Sequence, residues 1–192
     1  MRSFRRTRGL KLWGGAFLLV AVAVLPAIGR AQVEVEADPT AYALNGYSVH
    51  VGVPFQRRNR VQAGVYGYDL PSFYGVASGF RERGNGATFK YDRFLRHRTA
   101  GFFAGADGNY TRTRYTLKAT DHSTDRGDVT IGPRIGYRWD IGPHLYVTPW
   151  FSCGYILNLG DAVVIDGKKA DRNSFGYFPT LHIGWRFGSA SR

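Results

Sequence analysis

The sequence predicts an all-β fold: an eight-stranded antiparallel transmembrane β-barrel with a polar lumen filled by side chains. Three observations carry this expectation. The apolar residues keep a period of two through every long segment after residue 31. The opposite face is built from Gly and isolated polar residues, where a water-facing sheet would carry many Lys, Glu and Thr. The connections alternate short and long. Successive strand side chains point to opposite faces, so each segment divides into two surfaces.

The first 31 residues have the parts of an export signal. Arg2, Arg5, Arg6, Arg8 and Lys11 make a basic leader, residues 12–25 are an apolar run of 14, and Gly29-Arg30-Ala31 offers the small residues a signal peptidase reads. Cleavage is expected near Ala31, with the barrel over 32–187 and a short polar tail over 188–192. The apolar run falls short of the ~20 residues a spanning helix takes, and no second run approaches that length, so strands must do any crossing.

The first 31 residues also explain much of the net charge of +12, because their six basic residues, Arg30 included, face no acid and the remainder carries +6. That bias is moderate and comes with no recognition-helix, zinc-finger or RNA-binding pattern, so no nucleic acid partner is expected. The lone Cys153 excludes an intramolecular disulfide framework.

Along the remainder the strands follow in order. Residues 32–37 alternate Val33 and Val35 with Glu34 and Glu36, and supply the eighth strand that an even-stranded barrel requires. Residues 42–54 run down, with Tyr47, Val49, Val51 and Val53 on one face and Ser48, His50, Gly52 and Pro54 on the other. Val61, Ala63 and Val65 then alternate with Gln62, Gly64 and Tyr66, and Phe89 and Tyr91 with Thr88, Lys90 and Asp92. Residues 99–112 place Phe102, Ala104 and Tyr110 opposite Phe103, Asp107 and Asn109. Residues 128–139 give the clearest pattern: Val129, Ile131, Pro133, Ile135, Tyr137 and Trp139 against Thr130, Gly132, Arg134, Gly136 and Arg138. Residues 145–157 are another strand, in which Tyr146 and Trp150 occupy the polar face; a bulge at Pro149 is expected to turn Trp150 outward. Residues 175–187 repeat the alternation to Phe187. Short connections at 56–59, 95–98 and 140–143 and long ones at 70–85, 113–126 and 158–172 orient the barrel, short turns inside and long loops outside.

Two sets of residues follow. Ser48, His50, Lys90, Asp92, Asp107, Arg134, Arg138, His182 and Arg186 are expected to form a hydrogen-bonded polar network in the lumen. Phe55, Phe94, Tyr137, Trp139, Trp185 and Phe187 are expected as the interfacial aromatic girdle on the short-turn side. Arg57, Arg58, Arg60, Arg96 and Arg98 lie on or beside short turns, where they meet anionic headgroups. Arg81, Arg83, Arg112, Arg114, Lys118 and Arg126 lie on long loops and read first as solvated loop charge, with contacts to lipopolysaccharide phosphates or to a partner surface as the alternative. His122 and His144 lack metal-ligand spacing, so no metal and no cofactor are expected.

The run Leu181-His182-Ile183-Gly184-Trp185-Arg186-Phe187 resembles the C-terminal signature of outer-membrane barrels, and the whole pattern resembles the small OmpX-like or OmpA-like barrel domains; residues 188–192 extend past that signature. The resemblance implies residence in the bacterial outer membrane as a monomer, recognition of the last strand by the barrel-assembly machinery, and outer-membrane lipids including lipopolysaccharide as surroundings. The expected role is structural or surface interaction without catalysis. The alternatives are a narrow pore and a lipid A-modifying enzyme; Ser48-Val49-His50 reverses the His-x-Ser order of the deacylase type.

Overall fold

A computed structural model describes residues 32–43, 45–70, 79–96, 99–170 and 174–188. The export signal, Arg98 and most of the polar tail lie outside them. Ten strands are found among the described residues: β1 (Val33–Ala37), β2 (Tyr47–Phe55), β3 (Asn59–Leu70), β4 (Phe80–Phe94), β5 (Gly101–Leu117), β6 (Ser123–Ile141), β7 (Leu145–Leu159), the two-residue pair β8 (Val164–Ile165) and β9 (Lys168–Lys169), and β10 (Phe175–Phe187). A short helix, α1 (Pro39–Ala43), joins β1 to β2, so Tyr42 belongs to a helix rather than to the second strand. Asp38 accepts hydrogen bonds from the Thr40 and Ala41 amides at 2.8 and 3.4 Å, which satisfies donors the helix start leaves free.

Eight strands close into one barrel in the order β1-β10-β7-β6-β5-β4-β3-β2, every pair antiparallel. The five-residue β1 closes it, pairing with β10 from Val33 opposite Phe187 to Ala37 opposite Ile183, and with β2 on its other side. The prolines are absorbed without bulges. The β6–β7 register is constant, but the ladder skips the steps at Pro133 and Pro149, where a donor is missing. Pro179 lies beyond the end of the β1–β10 ladder, so only β7 flanks it as a paired strand. With the register intact, parity governs, and Trp150 points inward and is buried, contrary to the expectation of an outward flip.

The two faces separate as the alternation requires. Outward lie Val49, Val51, Phe89, Phe102, Ile131, Ile135, Phe151 and Ile183, all exposed; an apolar exterior of this extent needs an apolar solvent. On β5 the apolar stretch runs from Phe102 to Tyr110, nine residues, which matches the ~9–11 of a tilted strand crossing a bilayer. The strands β3 to β6 continue past that band, so the long connections begin later than the sequence suggests: β5 extends to Leu117 and β6 starts at Ser123.

The inner glycines lie directly opposite inner rings on the neighbouring strand: Gly136 opposite Phe103, Gly64 opposite His50 and Gly184 opposite Tyr146. A Cβ on Gly136 would come within 2.4 Å of the Phe103 ring and 2.8 Å of the Pro149 carbonyl oxygen. Gly136→Val therefore overpacks the lumen and is expected to cost about 1–3 kcal/mol, read as a lower temperature at which the fast-migrating unboiled form is lost on a detergent gel.

Candidate functional site: the lumen network

The lumen is organised by charge. Three carboxylates, Glu34 and Glu36 of β1 and Asp92 of β4, meet three guanidiniums, Arg60 of β3 and Arg134 and Arg138 of β6, and all six side chains are fully buried. Arg60 is the hub. It donates through Nε and Nη2 to Asp92 at 3.1 and 2.7 Å, and through Nη1 to Glu36 and, at 3.3 Å, to Glu34. Arg138 reaches across the lumen to Glu34 at 2.6 Å, and Arg134 lies 3.3 Å from Asp92. Arg186 donates to Asp140 at 2.9 Å and to Glu34 at 3.4 Å, and His182 Nδ1 pairs with Glu36 at 2.8 Å.

Aromatic faces supply the second layer. The Arg138 guanidinium lies 3.5 Å from the Tyr146 ring centre, Arg134 4.3 Å from that of Trp150, and the Lys90 ammonium 4.6 Å from Trp150. A quadrupolar face stabilises a cation by about 2 kcal/mol when water is excluded. Phe94 and Phe103, with ring centres 5.3 Å apart, pack under Arg60 and Arg134 respectively.

The nine lumen residues named from sequence are all buried. Arg134, Arg138, Asp92, His182 and Arg186 join the network above; Lys90 stands opposite Asp107 on β5; Ser48 and His50 form a separate pair. Two expectations are corrected. Phe94 is 1% exposed, inside the barrel, because it shares the parity of Lys90 and Asp92. Arg60 is not a headgroup contact of the turn but the fully buried centre of the lumen, on the face opposite Val61. Phe55, Trp139, Trp185 and Phe187 are exposed and Tyr137 is half-buried, all on the outer face of the barrel. Glu34, Glu36 and Tyr146 extend the network beyond the expected set. Their signal is present in the sequence, since Glu alternating with Val gives β1 an inner face of charge.

Ser48 Oγ lies 2.7 Å from His50 Nε2, a distance at which a base can activate a hydroxyl. His50 Nδ1 has no hydrogen-bond partner among the described residues, however, and the Glu36–His182 pair only stacks against it, ring centres 4.8 Å apart. The pair thus places a hydroxyl beside a base without the orienting third group of a triad.

Above the membrane band a second cluster covers part of the outer mouth. Phe80, Tyr115 and Leu117 pack with Val163, Ile165 and Ala170 of the β7–β10 connection. The β8–β9 turn is latched there by Thr120 Oγ1 donating to Asp166 at 2.6 Å and by His122 Nδ1 at 2.9 Å from the same carboxylate.

No family model matches the sequence, and no curated protein matches it. Among solved structures, the N-terminal β-barrel domain of Pseudomonas aeruginosa OprF aligns at a TM-score of 0.50 and 12% identity, over 82% of this chain and 98% of that one. The chain has the fold of an outer-membrane eight-stranded barrel. Neisserial surface protein A aligns at 0.46 with 14% identity over 81% of this chain and 94% of its own, and a major outer membrane protein from Thermus thermophilus at 0.44 with 15% identity over 82% and 99%.

Two measurements bear on the site. Arg60→Met leaves three buried carboxylates short of their common partner and is expected to cost about 3–5 kcal/mol, read as a shifted urea midpoint of tryptophan fluorescence in lipid vesicles. The hydrogen bond from Thr120, then that from His122, lowers the Asp166 pKa. Asp166 therefore stabilises the folded latch at neutral pH, and that contribution is lost as pH falls below the ordinary carboxylate value of about 4. Amide exchange over residues 164–169, corrected for intrinsic rate, is expected to accelerate below that pH, and at neutral pH in Asp166→Asn.

Proposed function

We propose that the chain is an integral outer-membrane barrel whose role is structural and at the cell surface, carried without catalysis. The observation that supports this most directly is the network crossing the lumen from β1 to β3, β4 and β6, because guanidiniums and carboxylates bound to each other occupy the space a solute would need. The apolar exterior with aromatics at both ends supports residence in a bilayer, and the outward extension of β3 to β6 supports presentation of hairpins outside. In this reading the leader is removed near Ala31, the last strand is recognised by the barrel-assembly machinery, the barrel is a monomer, and its surroundings are outer-membrane lipids and lipopolysaccharide. Burial of Ser48 and His50, with the histidine unoriented, weighs against a lipid-modifying enzyme.

The expected outcome is a protein that fractionates with the outer membrane, runs faster unboiled than boiled, and gives no steady conductance steps in planar bilayers. Regular steps would favour a pore, and soluble periplasmic protein without the gel shift would sink the barrel function.

A further inference from the structure

The outer surface of β3 to β6 changes character within two steps of the ladder. One row reads Val65, Ala87, Tyr110, Val129 and Leu157 on successive strands β3 to β7; the next reads Gly67, Asn85, Arg112 and Gly127; the third reads Asp69, Arg83, Arg114 and Asp125. From Tyr110 to Arg114 the chain advances about 14 Å along the strand at ~3.4 Å per residue, or roughly 10 Å of height at a tilt near 45°. The polar layer on each side of a ~30 Å hydrocarbon core is about 5–8 Å deep. With Tyr110 at the edge of the hydrocarbon, Arg112 and Arg114 lie at headgroup level and just above it.

At that level Arg83 and Arg114 are directly opposite each other, an arrangement of like charges that a sheet ordinarily avoids. Each is turned to the acid at its end of the row. Arg83 Nη2 donates to Asp69 at 2.6 Å, and Arg114 Nε donates to Asp125 at 2.8 Å. Arg112 Nη2 shares Asp125 at 2.9 Å. Arg81 is exposed on the same face of β4, one step further out. Four guanidiniums thus face two carboxylates, an excess of +2. The acids hold Arg83, Arg112 and Arg114 in place while leaving part of each fork of five N–H donors unused. All four are solvent-exposed and outside the lumen network, so internal stability does not account for their excess.

We propose that this row is a binding site for the phosphate groups of lipopolysaccharide in the outer leaflet, with Arg81, Arg83, Arg112 and Arg114 as its donors. The proposal rests on the outer-membrane reading above. Planar guanidiniums match phosphate oxygens in pairs, and anions between Arg83 and Arg114 relieve the repulsion that the aspartates only partly offset. Gly67 and Gly127 flank Asn85 and Arg112 in the row beneath, and the rings of Tyr47 and Tyr110 lie against these two glycines.

The test uses the full barrel extracted in detergent and titrated with mixed micelles of lipid A carrying both phosphates, lipid A stripped of phosphate, or phosphatidylglycerol, with adducts read by native mass spectrometry. The phosphorylated lipid A is expected to bind at least about tenfold more tightly than either alternative. The combined variant R81Q/R83Q/R112Q/R114Q is expected to lose that preference, the matching Lys variant to recover part of it, and Arg57→Gln on an inner turn to keep it. Equal binding of phosphatidylglycerol or dephosphorylated lipid A overturns the site, as does a quadruple Gln variant that binds like the parent. A missing gel shift on heating counts against the outer-membrane reading, whereas an intact shift with unchanged binding counts against the arginine site alone.

Discussion

The Arg60 guanidinium, held between Asp92 on one side and Glu34 and Glu36 on the other, is the contact on which closure of the barrel depends. β1 is only five residues long, so its two ladders provide few of the backbone bonds that hold longer strands in register. What it contributes is two carboxylates, one per inner position, and these reach Arg60 of β3, Arg138 of β6, and His182 and Arg186 of β10. The shortest strand of the barrel is therefore fixed to the opposite wall through side chains. Burying six charges costs several kcal/mol per ion in desolvation, and only their mutual pairing offsets it. The network is thus all or nothing, since loss of one member strands the others.

The same narrowness explains the composition of the inner face. A lumen of eight strands is just wide enough for side chains to fill, and this one places guanidiniums against the rings of Tyr146, Trp150, Phe103 and Phe94. Each large ring needs space on the strand beside it, and Gly opposite Phe103, His50 and Tyr146 provides that space. The abundance of glycine is a steric complement to the inner aromatics. It is the same feature that distinguishes the sequence from a water-facing sheet.

Parity makes most of this legible from the sequence. Once each strand has a defined phase, Lys90, Asp92, Arg134, Arg138 and His182 must point inward, and they do. Expectation and structure part where a second rule competes with phase. Arg60 sits one residue past a turn, which suggests a headgroup contact; Phe94 is aromatic and near a strand end, which suggests the girdle; Trp150 follows a proline, which suggests a shifted register. In each case the ladder keeps its phase, because slipping by one residue would move a strand's entire apolar set from lipid into a charged lumen. The cost of a missing proline donor is taken locally instead, as skipped steps between β6 and β7. Which carboxylate meets which guanidinium is not legible, since it depends on the cross-lumen neighbours that closure creates.

The lumen is filled by paired charges and rings, and the two ends of the exterior differ. The inner end stops at short turns with Phe55, Trp139, Trp185 and Phe187 just above them, so it has little surface beyond the membrane. The outer end carries four strands past the apolar band, and their outward faces cannot remain apolar once they leave the hydrocarbon. Charges must appear there, and most of the choice lies in their sign and order. A row reading Asp, Arg, Arg, Asp across four neighbouring strands places two cations side by side at its centre, each paired with the acid at its own end. The molecule thus combines an interior of paired charges with an outer row in which arginines outnumber their acids.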